Sequence, residues 1–296
     1  MGTSITIEFW HHNQQVANAL IQRVMAEMKR VDQLMSPYIA SSELSQINET
    51  ASVRPVIVSQ ELFDLIALSL RHGQWSGGVF DITYASVGRF YNYRKSIKPE
   101  NNAIEQALPL VDYRAVTLNP SARSVAFEKE GTKIDLGGIA KGHAVDSAIL
   151  YLHRHGVRHA TVSAGGDSRI LGDRRGRPWM MGIKDPRGEG HIVSLPLQDL
   201  SVSTSGDYER YFIDQSGIRH HHILNPKDGL SASLVRSVTI LGPNATMTDA
   251  LSTTVFVMGV KKGLNYINGI ADVSAIIIDG EGKLHYSNDL VRPERQ

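Results

Sequence analysis

The segment Asp135-Leu-Gly-Gly-Ile-Ala-Lys-Gly142 constrains this chain most, because it must bend between two runs of different periodicity. Thr132-Lys-Ile-Asp-Leu136 reads as a buried strand, and Ala144-Val-Asp-Ser-Ala-Ile-Leu-Tyr-Leu152 as a helix. Glycines at 137, 138 and 142 allow close backbone approach, since no Cβ intervenes. A helix starting there presents unpaired N–H groups and the positive end of its dipole, which suits an anion such as phosphate. Lys141 adds a positive charge, and Asp135 a carboxylate able to accept from a hydroxyl or ring N–H. The spacing matches neither the dinucleotide fingerprint nor the phosphate loop. Two readings stay open: a site for a phosphorylated small molecule, or a tight turn where glycine serves packing alone.

With 296 residues, 42% of them hydrophobic, the chain can bury a good core as one large domain or two intimately joined ones. Its net charge of +1, from 31 basic and 30 acidic residues, supplies no global field to recruit nucleic acid. The basic stretch from Arg169 to Arg177 alternates with Gly and Asp and reads as a solvated hairpin. No segment has the apolar length of a membrane span. The absence of cysteine excludes disulfides and thiolate chemistry.

Strands and helices mix without repeats. Residues 4–10 alternate as a strand, and 15–35 carries apolar residues at helical spacing. Residues 60–72 form a second amphipathic helix opened by Ser59 as N-cap. Strands are expected at 115–118, 124–127, 133–136, 159–163, 179–183, 235–241 and 273–279. Helices are expected at 143–155, 248–257 and 261–267, while 86–97 is ambiguous. Strict alternation is missing, so the pattern predicts an α+β fold with no clean linker.

Chemistry-bearing residues gather in five clusters expected mainly in turns: 135–142, Ser163-Ala-Gly-Gly-Asp167, Ser203-Thr-Ser-Gly-Asp-Tyr208, His220 to Gly229, and 248–254. Asp249, Ser252 and Thr253 fall at i, i+3 and i+4, on one helical face. Their hard oxygens suit Mg²⁺; equally, Thr248 could cap the helix while Asp249 complements its dipole. Three consecutive histidines do not make a zinc site, because neighbours on a strand point to opposite faces. His222 is a candidate general base or a partly buried structural histidine. No nucleophile elbow exists, which points to positioning and electrostatics, as in phosphoryl-type chemistry.

Taken in order, these segments resemble the ApbE-like FAD:protein FMN transferases over nearly the whole chain. The resemblance rests on Met1-Gly-Thr, Ser36-Pro-Tyr38 with Ser42 to Asn48, Gly78-Val-Phe-Asp-Ile-Thr83, the 135–142 signature, Ser163 to Asp167, Thr204 to Tyr208, His222-Ile-Leu-Asn-Pro226 and Asp249 to Thr253. It implies an α+β fold of two intertwined T-fold-like halves with mainly antiparallel sheets flanked by helices, in a single domain over 1–296. It implies FAD as substrate, Mg²⁺ as cofactor, and transfer of FMN to a threonine hydroxyl of an acceptor flavoprotein, with release of AMP. Typical acceptors are subunits of ion-pumping redox complexes. By position, Met1, Tyr38, Val79, Phe80, Asp81, Asp135, Lys141 and Ile223 would contact FAD. Asp249 and Thr253, with Ser252 and the Gly138 carbonyl, would hold the metal, and His222 would be catalytic. Phe80 and Tyr38 would offer flat apolar surfaces to ring systems.

The chain departs from the pattern at Asn225, where the family usually has aspartate, at His143 in place of an aromatic, and at Val79 in place of alanine. Family members are often secreted lipoproteins, yet the alternation from Gly2 to Phe9 leaves no secretory leader after residue 1. The expectation is therefore a periplasmic protein by family resemblance, an inner-membrane lipoprotein if an export segment was trimmed or lies upstream, or else a cytoplasmic member. An Mg²⁺-dependent FAD pyrophosphatase and a non-enzymatic FAD carrier are the alternative activities.

Overall fold

The structure, a computed structural model, describes residues 2–291. Its strands are β1 (Ile5–Phe9), β2 (Val56–Ile57), β3 (Val116–Asn119), β4 (Ser124–Phe127), β5 (Ala160–Ala164), β6 (Asp167–Leu171) and β7 (Trp179–Lys184). They continue with β8 (His191–Leu197), β9 (Ser201–Gly206), β10 (Tyr211–Ile213), β11 (Arg219–His221), β12 (Val235–Gly242), β13 (Ser274–Asp279) and β14 (Leu284–Tyr286). Helices are α1 (Gln14–Met35), α2 (Glu43–Thr50), α3 (Gln60–Trp75), α4 (Ala85–Gly88), α5 (Asn101–Ala107), α6 (Ala140–Arg154) and α7 (Ala245–Ile267). Antiparallel sheets with helices make this α+β, as the sequence predicts. Among the described residues, no helix is long and apolar enough to cross a membrane.

The chain builds two compact units. The first takes the residues up to Arg30, Lys141–Gly206 and those from Leu234 onward; the second takes Val31–Ala140 and Asp207–Ser233. In the first unit a seven-stranded sheet runs β1-β5-β6-β9-β12-β13-β14, with every neighbouring pair antiparallel. Strand alternation gives β9 two characters. Val202 joins Ile170, Leu241 and Ile276 under Trp179, Ile183 and Leu197 of the β7–β8 hairpin. Ser203 and Ser205 instead hydrogen-bond to α7, which lies against β9 and β12.

The second unit holds a three-stranded sheet, β2-β4-β3, and the β10–β11 hairpin. Helix α3 begins as predicted: Ser59 accepts from the Leu62 amide and caps residue 60. Val87, Tyr91, Ile104, Ala107 and Leu224 form a small core of this unit. The ambiguous 86–97 stretch is α4 followed by a reversal that Asn92 and Ile97 close with paired backbone bonds.

Several elements differ from expectation. Residues 132–136 form no strand, because side chains and a loop take the backbone groups a ladder would use. The Asn48 amide bonds both the N–H and the C=O of Ile134, at 2.7 and 2.9 Å. Lys133 N–H donates to Ser86 Oγ, and Asp135 N–H to the Ile82 carbonyl. The helix after the glycines starts at Ala140, which places Lys141 in its first turn. Residues 203–206 are strand rather than turn, since β12 and β6 both pair with β9.

Helix α7 begins at Ala245, not at 248: Asn244 accepts from the Met247 amide, so Asn244, and not Thr248, is the N-cap. Its two expected halves meet at Gly259, whose φ of 72° breaks the helical path.

Candidate active site

In the first unit, the first turn of α6 crosses the start of α7. Gly142 makes the crossing possible: a Cβ there would overlap the Ala245 carbonyl oxygen and stand 2.9 Å from Asp249 Cβ. Asp146, one turn further along α6, accepts from Ala245 N–H at 2.9 Å, Thr246 N–H at 2.8 Å and Thr246 Oγ1 at 2.6 Å. Gly142 and Asp146 thus grip the α7 terminus from one helical face. Of the two readings of the glycine turn, packing accounts for Gly142.

This crossing sets Asp249 on the second turn of α7, against the start of α6. Its Oδ2 accepts from Gly142 N–H at 3.0 Å, so one amide expected to face an anion is taken by a carboxylate. Its Oδ1 lies 3.0 Å from Lys141 Nζ, and the same ammonium is 2.7 Å from Asp167 Oδ2 on β6. Both carboxylate side chains are almost fully buried, whereas Lys141 is 28% exposed. Burial raises the Asp249 pKa, the Asp167 charge raises it further, and Lys141 and Gly142 N–H pull the other way. Burial opposes the charge on Lys141, but the two carboxylates outweigh it and hold the ammonium protonated.

Hydroxyls surround this trio. Ser205 Oγ on β9 is 2.8 Å from Ser252 Oγ and 3.3 Å from Thr253 Oγ1. Ser252 Oγ also donates to the Asp249 carbonyl, while Thr253 is half-buried. Lys141, Asp249, Ser252 and Thr253, nominated by sequence, therefore come together. Asp167 and Ser205 join them unforeseen, although both sit in clusters the sequence singles out.

Two carboxylates and one ammonium carry a formal charge of −1 in a buried place, which either a proton on Asp249 or a further cation would compensate. Among the described residues no group of three His, Cys, Asp or Glu is arranged to hold an ion. Carboxylate and hydroxyl oxygens such as those of Asp249, Ser252 and Thr253 are the donor type of a hard cation that takes one or two carboxylates and completes its shell with water and phosphate, as Mg²⁺ does.

The second unit carries the remaining nominated residues. Tyr38 is 84% exposed, in the turn between α1 and α2. Burial, then the Asp135 carboxylate and the Tyr38 phenol, raise the Tyr84 hydroxyl, and Arg210 opposes them. Tyr38, Tyr84, Asp135 and Arg210 therefore share a neighbourhood, in which Tyr84 and Arg210 were not foreseen. Asp135 Oδ1 also accepts from Gly137 N–H at 2.6 Å, fixing the turn that holds the half-buried Gly138.

Phe80 and Asp81 are both held within their own unit. The Phe80 ring is 4% exposed and packs on His72 at 5.7 Å, so it offers no open face to a ring system. Asp81 is buried and its carboxylate is consumed locally: Oδ1 takes the Thr83 amide and hydroxyl, and Oδ2 the Tyr113 amide. Both residues shape the 78–83 loop, on which Val79 is half-buried. Met1 lies outside the described residues.

The three histidines have separate surroundings. His220 Nε2 is 2.8 Å from Asp214 Oδ2. His221 Nε2 donates to the Ala232 carbonyl, and its Nδ1 accepts from the Ile223 amide, with burial lowering its pKa. His222 comes next, half-buried, its N–H on the Arg210 carbonyl, and Ile223 is buried after it. Asn225 donates from its amide to Asp228 Oδ2 at 3.0 Å. An aspartate there would set two carboxylates against each other, which accounts for asparagine at this position.

The model of the ApbE family matches residues 1–277 of the chain. The FAD:protein FMN transferase of Treponema pallidum is 31% identical over 293 residues, covering 93% of this chain and 81% of the relative. That of Klebsiella pneumoniae is 31% identical over 283 residues, covering 94% and 86%. Among solved structures, the ApbE protein of Thermotoga maritima superposes with a TM-score of 0.91 at 35% identity, covering 100% of this chain and 97% of that one. The flavin transferase ApbE of Vibrio cholerae does so with 0.85 at 25% identity, covering 97% and 94%. The chain belongs to the ApbE family.

Proposed function

We propose that this protein is an FAD:protein FMN transferase that uses Mg²⁺ and a threonine hydroxyl of an acceptor flavoprotein. One observation carries the reading: in a chain of this family, Lys141 bridges the buried carboxylates of Asp167 and Asp249, next to the hydroxyl cluster of Ser205, Ser252 and Thr253. In the reaction, the threonine oxygen bonds to the phosphorus next to riboflavin, the pyrophosphate P–O bond breaks, and AMP leaves. Asp249 and Thr253 would hold Mg²⁺, with Ser252 and the Gly138 carbonyl as further oxygen donors. When bound, the ion would neutralise the diphosphate and the charge on the departing AMP.

Lys141 adds positive charge for the same diphosphate, and His222 takes the threonine proton or orients the hydroxyl. Tyr38, Val79, Asp135 and Ile223 contact the flavin nucleotide, while Phe80 and Asp81 support their loop from beneath. The acceptor is of the redox-pump-subunit type.

The test combines the purified chain, FAD, Mg²⁺ and a flavin-carrier domain bearing the acceptor threonine, followed by intact-mass measurement of the acceptor. A gain of one FMN, lost on chelation and in Asp249→Ala, is expected. Mg²⁺-dependent free FMN without a mass gain would make the protein a pyrophosphatase, and intact bound FAD would make it a carrier.

A further inference from the structure

We propose that Lys141 is a resident counter-cation: it neutralises Asp249 while the pocket is empty and yields that carboxylate when a divalent cation arrives together with a diphosphate. The inference rests on the reading that Asp249 holds Mg²⁺. It starts from the asymmetry of the trio. Asp249 is held in place, since Gly142 N–H retains Oδ2 and α7 carries its backbone. Asp167 sits in a strand paired on both sides, by β5 and β9. Lys141, in contrast, carries its ammonium on a flexible four-carbon stem, and its side chain is 28% exposed where the two carboxylate side chains are 2% and 3% exposed.

Lys141 is already bidentate between two partners, 2.7 Å from Asp167 and 3.0 Å from Asp249. Leaving Asp249 therefore does not strand it, because Asp167 still pairs with it. A diphosphate would replace the lost partner. The resting pocket is thus partly compensated without metal, and a free cation must compete with a resident charge for Asp249. Once a diphosphate draws the ammonium away, that competition ends. Cation and diphosphate then favour each other, and by linkage each tightens the other by the same factor. Asp167 is a positioning residue here, acting on Asp249 through Lys141.

The experiment is titration calorimetry of the full chain at pH 8 with Mg²⁺ alone, and then with ADP present, which carries a diphosphate and no flavin to transfer. Circular dichroism confirms the fold of each variant. In the wild type, Mg²⁺ is expected to bind at least tenfold tighter with ADP than without. Lys141→Met should bind Mg²⁺ alone at least fivefold tighter, bind ADP more weakly, and lose most of the synergy. Those opposite signs separate a resident cation from general damage, which would weaken both ligands.

Asp167→Asn, which leaves Lys141 on Asp249 alone, should weaken Mg²⁺ binding at least fivefold; it carries the test if the lysine variant does not fold. Unchanged or weaker Mg²⁺ binding by folded Lys141→Met, or unchanged binding by Asp167→Asn, would overturn the proposal and leave the metal assignment standing. No Mg²⁺ binding by the wild type with ADP would overturn both.

Discussion

Gly142 and Ala245 touch backbone to backbone: a Cβ at Gly142 would overlap the Ala245 carbonyl oxygen, so α6 and α7 approach this closely because glycine stands there. This approach lets Gly142 N–H reach Asp249 Oδ2 at 3.0 Å. The blocking atom is main chain and cannot rotate away. Gly142→Ala is therefore expected to cost about 3 kcal/mol, at the upper end of overpacking effects. Urea unfolding measures the loss, and Mg²⁺ affinity should fall with it as the helices separate. A loss below about 0.5 kcal/mol would mean that the crossing yields more easily than a packed backbone should.

Asp146 supplies the second grip, accepting two amides and a hydroxyl at the start of α7. Asp146→Ala removes all three and is expected to cost about 2 kcal/mol, as for a strong helix cap. Asp146→Asn keeps one acceptor oxygen and should recover part of the loss. Equal unfolding midpoints for Asp146→Ala and the wild type would show that Asn244 alone suffices as the cap.

Asp81 serves its own unit. Asp81→Ala leaves the Thr83 and Tyr113 amides without their acceptor and should destabilise by about 2 kcal/mol. Flavin affinity of the folded variant should stay within about threefold of wild type, a difference under about 1 kcal/mol. A tenfold loss in fluorescence titration of the folded fraction would mean that the carboxylate touches the nucleotide itself.

His72 makes stability depend on pH. Burial lowers its pKa from 6.5 to about 4, and Arg71 acts in the same direction. Its Nδ1 has no hydrogen-bond partner among the described residues, and the ring lies between Trp75 and Phe80. Above pH 6.5 the ring is neutral in both folded and unfolded chains, so its contribution is constant. Between pH 6.5 and about 4 only the unfolded chain takes up the proton, and stability falls as pH falls. The shift corresponds to roughly 3 kcal/mol over that window. His72→Gln should remove this part of the acid dependence, read as a flatter plot of unfolding free energy against pH. An unchanged slope would assign the acid dependence to other groups.

The sequence by itself determined what depends on neighbours along the chain. The apolar spacing of α1 appears as buried Val24, Met28 and Val31, although the equally apolar Ile21 and Met25 lie exposed and Leu20 and Met35 complete the buried face, and Ser59 announces the start of α3. Residues 124–127 form β4 as their apolar run suggests, and ordered short motifs mark the family across residues 1–277. Tertiary structure decided what depends on partners far away in sequence. Residues 132–136 have strand-forming side chains, yet Asn48, 86 positions earlier, takes the backbone of Ile134. The motif at 78–83 does not announce that the Phe80 ring packs on His72 or that Asp81 accepts from the Tyr113 amide.

Asp249 could have been a surface residue complementing a helix dipole. It is instead a buried acid, because Gly142 admits α7 and because Lys141, 108 positions earlier, faces it. Propensity and motif act through local geometry, whereas burial and charge pairing arise only once distant segments pack.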